Sequence, residues 1–256
     1  MTIEQMNAKK RELGYSNREL AALSGVPEVT LQKILSGKTT APRRETLLKI
    51  EQALTASSSG MVRESQPAYG KKQGGYTLAD YLALPDEERV ELIDGVFYDM
   101  AAPHAGHQAF AGFMHKIFMD FVMENGGPCF PMMSPIDVQL DCDDRTVVQP
   151  DVLIVCDRSK FQNGRVMGAP DLVVEVLSPS TRKKDMYLKL MKYKEAGVRE
   201  YWMIDQARKV VIVNDLENEA PPALYGFQDS VPVGIWDGKC KVDFGEIYPR
   251  IEFLYE

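Results

Sequence analysis

Residues 147–205 read VVQPDVLIVCDRSKFQNGRVMGAPDLVVEVLSPSTRKKDMYLKLMKYKEAGVREYWMID, and the order of apolar runs in this segment sets the architecture of most of the chain. The runs at 147–155 and 171–177 are rich in Val, Leu and Ile and bounded by Pro, Gly and Asp, as buried strands are. Ser178-Pro179-Ser180-Thr181 then offers cap and first-turn residues for a helix over 182–196. Gly197 closes that helix as a C-terminal glycine does. Two further strands are expected at 201–204 and 209–213. Strand, strand, helix and strand in this order predict a mixed sheet flanked by helices.

Upstream, a strand is expected at 136–140, a helix from about 104 to 125, and a strand pair around 91–100 whose Asp94-Gly95 is a hairpin turn. A short helical piece spans 77–89. Downstream, weaker strand signals lie at 231–235 and 239–244. This texture stops at Tyr76. Residues 55–75, TASSSGMVRESQPAYGKKQGG, hold too little apolar surface to fold alone and predict a flexible linker over 56–75. Before them, Leu20, Ala21, Leu23, Val26, Leu31, Ile34, Leu35, Leu47, Leu48, Ile50 and Leu54 recur with helical spacing and no strand pattern intrudes. The expected fold class is therefore α/β (α+β): a small all-α domain over 1–55, the linker, and a mixed-sheet domain over 76–256.

Composition narrows the class. The 256 residues are 45% hydrophobic and 26% charged, and no apolar run approaches the ~20 residues of a membrane-spanning helix. The polar start MTIEQMNAKKREL lacks the apolar core of a secretory signal, so a cytoplasmic protein with no membrane partner is expected. Cys129, Cys142, Cys156 and Cys240 are widely spaced, which predicts reduced, partly buried thiols and neither a zinc nor a redox motif. The net charge of −7 divides unevenly. Residues 1–55 carry nine Lys/Arg against six Asp/Glu, and the remainder 21 against 31. A basic head on an acidic body fits a DNA-reading module joined to a carboxylate-rich domain.

Within the head, one helix is expected over 17–24, a turn at Gly25-Val26, and a second helix over 28–35. Val26, Leu31 and Ile34 would pack on Leu20 and the later helix, leaving Glu28, Thr30, Gln32 and Lys33 outward. The string ELAALSGV, TLQKILSGK, TLLKIEQAL resembles the Cro and phage-repressor (Xre-type) helix-turn-helix family. That resemblance implies DNA as partner, with Thr30, Gln32, Lys33, Lys38 and Arg43 as contacts, and pairing of two copies in a homodimer on two half-sites. The alternative is a helical packing or dimerisation bundle. Glu28 would repel phosphates, and the face has few arginines for guanine.

In the body, Gln149-Pro150-Asp151 opens a strand, Glu175 lies within the next, and Lys189 follows in a helix. Two carboxylates on neighbouring strands suit Mg²⁺ or Mn²⁺, hard cations that take oxygen ligands and keep open water positions. A nearby lysine can stabilise charge that builds up during phosphodiester hydrolysis. This order resembles the PD-(D/E)XK nuclease superfamily. More closely, VELIDG, QPDVLIV, PDLVVEVLSPST, the Asp185, Lys189, Tyr193 spacing and GVREYWMID resemble the Uma-type restriction endonucleases over residues 76–205. Leu177 stands where the superfamily has its lysine, and the family resemblance implies that Lys189 takes that role.

The implied function is a metal-dependent endonuclease acting on DNA. The alternatives are RNA or a structured nucleic acid as substrate, or a DNA-binding transcriptional regulator whose nuclease fold is inactive. Asp151, Glu175, Lys189 and Glu91 are the catalytic candidates, Asp151 and Glu175 the metal ligands, with Glu91 as a candidate to complete the metal shell. Each has a structural alternative: a turn cap for Asp151, a surface pair with Asp185 for Lys189, a strand-end charge for Glu91. Glu175 has the weakest one, since an unpaired carboxylate within Leu-Val-Val-Glu-Val-Leu is costly to bury. His107 reads as a phosphate contact or a helix cap. His104 and His115 have no functional argument, and Tyr201-Trp202 reads as core.

Overall fold

The structure, a computed structural model, describes residues 2–12, 17–39, 42–55, 73–85, 88–100, 102–179 and 181–255, which form two compact units. Most of the expected linker lies outside the described residues. Its end does not: Gly74 N–H donates to Gly95 O at 2.8 Å, and Gln73 Oε1 accepts from Phe97 N at 3.1 Å.

The head is built from α1 (Ile3–Glu12), α2 (Asn17–Ser24), α3 (Glu28–Leu35) and α4 (Arg44–Thr55). The α2 and α3 boundaries are those expected from periodicity. Gly25 takes φ +63° between them, a conformation that L side chains rarely adopt. Ser24 Oγ donates back to Leu20 O at 2.6 Å, tying off the end of α2. Met6, Leu20, Val26, Leu31, Ile34, Leu35, Ile50 and Leu54 form one buried cluster.

The larger unit starts with α5 (Leu78–Leu82), the hairpin β1 (Val90–Ile93) and β2 (Val96–Asp99), and α6 (Ala105–Asn125). Asp94 and Gly95 both have positive φ, the turn geometry that Asp-Gly favours. Then follow β3 (Phe130–Met133), β4 (Val138–Gln139), β5 (Val152–Val155), β6 (Phe161–Gln162), β7 (Arg165–Met167) and β8 (Leu172–Leu177). A π-helical turn (Lys184–Lys189) runs into α7 (Leu190–Ala196). β9 (Glu200–Asp205), β10 (Val210–Asp215), β11 (Ala223–Gly226), β12 (Ser230–Pro232), β13 (Lys241–Asp243) and α8 (Phe244–Ile251) complete it.

Among the described residues the main sheet has six strands in the order β11-β10-β9-β8-β5-β3. Only the β8–β9 pair is parallel, joined through the π-turn and α7; the other neighbours are antiparallel. Strand alternation splits the core. Val152, Ile154, Val174, Val176, Trp202 and Ile204 pack with Phe110, Met114, Phe118 and Phe244, while Leu153, Val155, Val173, Leu177, Tyr201 and Met203 pack with Tyr193 and Val198. The second cluster surrounds the polar site described next. No helix among the described residues is long and apolar enough to cross a membrane.

Several expectations need correction. The strand at 147–155 begins as a strand only at Val152: Pro150 has no N–H, Gln149 N–H is taken by Glu91, and Val147 and Val148 make isolated bridges to Leu92 and Val138. The helix at 77–89 shrinks to α5, with residues 86 and 87 outside the description. β3 is missed because Pro131 argues against a strand, and it is an edge strand, where proline is tolerated. Its register sets Phe130 opposite Val155, which brings Cys129 and Cys156 together in a disulfide. The expectation of reduced thiols fails for that pair; Cys240 is free and buried, and Cys142 is free and exposed. The helix at 182–196 is π-helical over six of its fifteen residues.

Candidate functional site

Glu175 lies in the middle of β8 and Asp151 just before β5. The register Val152↔Val174, carried on by one residue, sets Asp151 opposite Glu175. Asp151 Oδ2 accepts the Val176 backbone N–H at 2.7 Å and is 3.0 Å from His107 Nε2, in the first turn of α6. Val176 N–H ties the Asp151 carboxylate to β8, and His107 holds the same oxygen from α6. His107 therefore caps no helix end; the N-cap residue of α6 is His104.

The π-turn carries the cations. Lys189 Nζ is 2.7 Å from Glu175 Oε1, 2.7 Å from Glu91 Oε1 and 3.8 Å from Asp185 Oδ1. Its side chain is 4% exposed, so the alternative of a solvated surface pair with Asp185 fails: the close partners are the two glutamates. Tyr193 OH, one turn on, donates to Glu175 Oε1 at 2.8 Å. Glu91, in β1, accepts Gln149 N–H at 3.0 Å on Oε1 and Lys184 Nζ at 2.6 Å on Oε2. The Gln149 side chain reaches away, donating to Asp137 Oδ1 at 2.9 Å and Tyr81 OH at 3.0 Å. Tyr81 OH itself donates to Asp137 at 2.8 Å.

Burial acts on these groups in different directions. For Glu175, burial and then the Asp151, Asp185 and Glu91 charges push the carboxyl up to about 8 against the pull of Lys189. For Glu91, burial works the same way, but Lys189 and Lys184 together outweigh it and hold the carboxyl down at about 2. Lys189, despite burial, is held well above its ordinary value by Glu175, Glu91 and Asp185. Tyr193 stays a neutral donor, raised by burial and by Glu175.

Four carboxyl groups, Glu91, Asp151, Glu175 and Asp185, thus gather about Lys184 and Lys189, and all but Asp151 are buried. Asp151 and Glu175, facing each other across neighbouring strands, are oxygen donors of the kind a divalent cation takes. Among the described residues no three His, Cys, Asp or Glu form a ready metal cage. Mg²⁺ asks for less: one or two carboxylates, with waters and phosphate oxygens filling the rest. The Asp151 and Glu175 donor set fits it on that ground.

Asp151, Glu175, Lys189, Glu91 and His107, all named from sequence, come together. Leu177 belongs to the apolar core, as do Tyr201 and Trp202 on opposite faces of the sheet. Lys184 was missed. Five residues before Lys189, it lies about 140° away on an α-helix; only the π-turn brings the two together. Tyr193 was legible as a spacing but not as a donor to Glu175. In the head, Thr30, Gln32, Lys33, Lys38 and Arg43 are all exposed.

Comparison with known proteins fits this geometry. Residues 78–233 match the family model described as "Uma2: Putative restriction endonuclease", and residues 7–59 match a helix-turn-helix model. An uncharacterized protein of Synechocystis sp. is 27% identical over 135 residues, covering 52% of this chain and 70% of that protein. The crystal structure of a putative nuclease belonging to DUF820 from Anabaena variabilis aligns with a TM-score of 0.56 at 19% identity, covering 68% of this chain and 97% of that one. That likeness is one of fold.

Proposed function

This chain belongs to the Uma2 restriction-endonuclease family, and from that membership we propose that its body is a metal-dependent endonuclease which its helix-turn-helix head brings to DNA. The observation that carries the proposal is the placing of Asp151 beside Glu175, with the Lys189 ammonium 2.7 Å from the latter. Asp151 and Glu175 would hold Mg²⁺ or Mn²⁺, which would supply Lewis-acid chemistry at the scissile phosphate.

The chain's own groups do the rest. Val176 N–H and His107 fix the Asp151 carboxylate, and Tyr193 fixes that of Glu175. Lys189 stabilises charge on the phosphoryl oxygens, a contribution of about 10²–10³ in rate for a single well-placed donor. Glu91 joins the site through Lys189. Thr30, Gln32, Lys33, Lys38 and Arg43 contact duplex DNA, and two heads pair on two half-sites.

The test is incubation of plasmid, linear duplex, single-stranded DNA and RNA with Mg²⁺, Mn²⁺ or EDTA. Cation-dependent cutting of DNA, stopped by EDTA, is expected. Cutting of RNA alone moves the substrate class. Duplex binding without cutting of any substrate leaves a DNA-binding regulator.

A further inference from the structure

We infer that Glu91 is a positioning residue that holds Lys189, not a cation ligand, and that the π-turn serves to brace the same carboxylate with Lys184. The inference rests on the nuclease proposal and assigns work within its site.

The two glutamates that flank Lys189 differ in what else they hold. Glu175 shares the Lys189 ammonium and otherwise takes a neutral phenol. Glu91 has an ammonium on each oxygen, Lys189 on Oε1 and Lys184 on Oε2, and a backbone N–H on Oε1 as well. It is 1% exposed. A carboxylate already between two ammoniums at 2.6 and 2.7 Å has little charge left for a third cation, which those ammoniums would also repel. Asp151, by contrast, holds an imidazole and a backbone N–H, and its near neighbour is Glu175. The cation-binding and lysine-binding carboxylates are therefore different groups.

Local backbone geometry supports the division. In a π-helix the hydrogen bond runs from i to i+5, so residues five apart stack on one side. Lys184 and Lys189 are such a pair, the first and last residues of the turn. Regular α-helix would carry Lys184 around to another face. π-Turns are rare and less favourable than α-helix, so one that ends in two lysines on one buried carboxylate has a cause in that carboxylate. Lys184 neutralises the outer oxygen of Glu91, which leaves Glu91 to fix the Lys189 ammonium 2.7 Å from Glu175 and keeps it from competing for the cation.

The experiment uses the full chain and compares Glu91→Gln, Glu175→Gln, Lys189→Met and Glu91→Gln/Lys189→Met, with Glu91→Asp as a second variant and a thermal melt for each. Mn²⁺ binding is read by calorimetry, and plasmid cleavage as kcat and KM. Glu91→Gln and Glu91→Asp are expected to bind Mn²⁺ within about twofold of the unsubstituted chain while kcat falls about a hundredfold at unchanged KM. Glu175→Gln loses Mn²⁺ binding. Because Glu91 acts through Lys189, the double variant cleaves no more slowly than Lys189→Met alone. Loss of Mn²⁺ binding in folded Glu91→Gln or Glu91→Asp, or a further fall in the double variant, overturns the inference.

Failure of the nuclease proposal is distinguishable. If the unsubstituted chain binds Mn²⁺ and cuts nothing, that proposal fails while the binding comparison still decides the role of Glu91. If it binds no Mn²⁺, reductive methylation read by mass spectrometry decides. Lys184 and Lys189 protected in the unsubstituted chain and labelled in Glu91→Gln support the positioning role; unchanged labelling removes it.

Discussion

The α2–α3 pair of the head and the π-turn with α7 in the body are both short stretches of helix-forming sequence, yet they are held by opposite means. Between α2 and α3 the buried groups include Leu20, Val26, Leu31 and Ile34, and the charged Glu28 and Lys33 of α3 are exposed. In the π-turn the buried groups include Asp185 and Lys189, and Lys189 is locked against Glu91 and Glu175. Apolar packing is non-directional and tolerates the regular 3.6-residue pitch. Buried charge must be paired atom by atom, and here the pairing goes with a changed pitch. A helix built on hydrophobic contacts follows its sequence period, and one built around a carboxylate need not.

The sharpest break is at the carboxylates themselves. Glu175→Ala is expected to lower DNA cleavage about a thousandfold while duplex binding by the same full-length protein stays intact, measured by plasmid nicking and fluorescence anisotropy. A folded Glu175→Ala protein that still cuts would sever the catalytic proposal from this site.

Stability comes next. Lys189→Ala removes the shared partner of two buried glutamates and should cost the body about 3–5 kcal/mol in denaturant unfolding. Leu31→Ala should cost the head about 2–5 kcal/mol through its cavity, and exposed Thr30→Ala no more than about 0.5 kcal/mol. The alternative of an exposed pair with Asp185 predicts a nearly silent Lys189→Ala. Its burial between Glu91 and Glu175 reverses that expectation.

Acidity separates the two glutamates. The folded Glu91 carboxyl, held at about 2 against an ordinary 4.5, contributes stability above pH 4.5 that is lost as the pH falls toward 2. Glu175, raised to about 8, contributes most below pH 4.5 and loses that contribution as the pH rises through 8. Glu91→Gln should flatten the acid side of the stability profile and Glu175→Gln the side from 4.5 to 8, followed by thermal melts. The head should show neither effect.

The smallest effect belongs to the head. Lys33→Ala should weaken duplex binding and lower the slope of log affinity against log salt by about one. A slope that does not move would take Lys33 off the phosphate backbone.

Where apolar periodicity carried the reading, element bounds were legible to the residue in α2 and α3 and to within one residue in β8. The α2 and α3 boundaries, the Asp94-Gly95 turn and the strand with Glu175 all follow from periodicity and turn chemistry. Legibility fell where a local signal met a distant partner. Pro131 hid β3, and with it the facing of Cys129 and Cys156; Lys184 was hidden by assuming an α pitch. The catalytic candidates lay between these cases. Their residue types and strand positions were visible, but not that Glu91 would hold two lysines or that His107 would meet Asp151 rather than cap a helix.

By itself the sequence determined the helical head, the mixed-sheet body and the identity of the acidic and basic groups, because alternation and helical period are properties of neighbouring residues. Only the tertiary structure decided which oxygen meets which nitrogen. Glu91 and Lys184 are brought to 2.6 Å from different elements, and Lys189 reaches Glu175 because the chain turns back from β8 through the π-turn. Those distances are set by the packing of β1, β8 and the π-turn, and by the need of each buried charge for a partner; no spacing along one chain segment contains them.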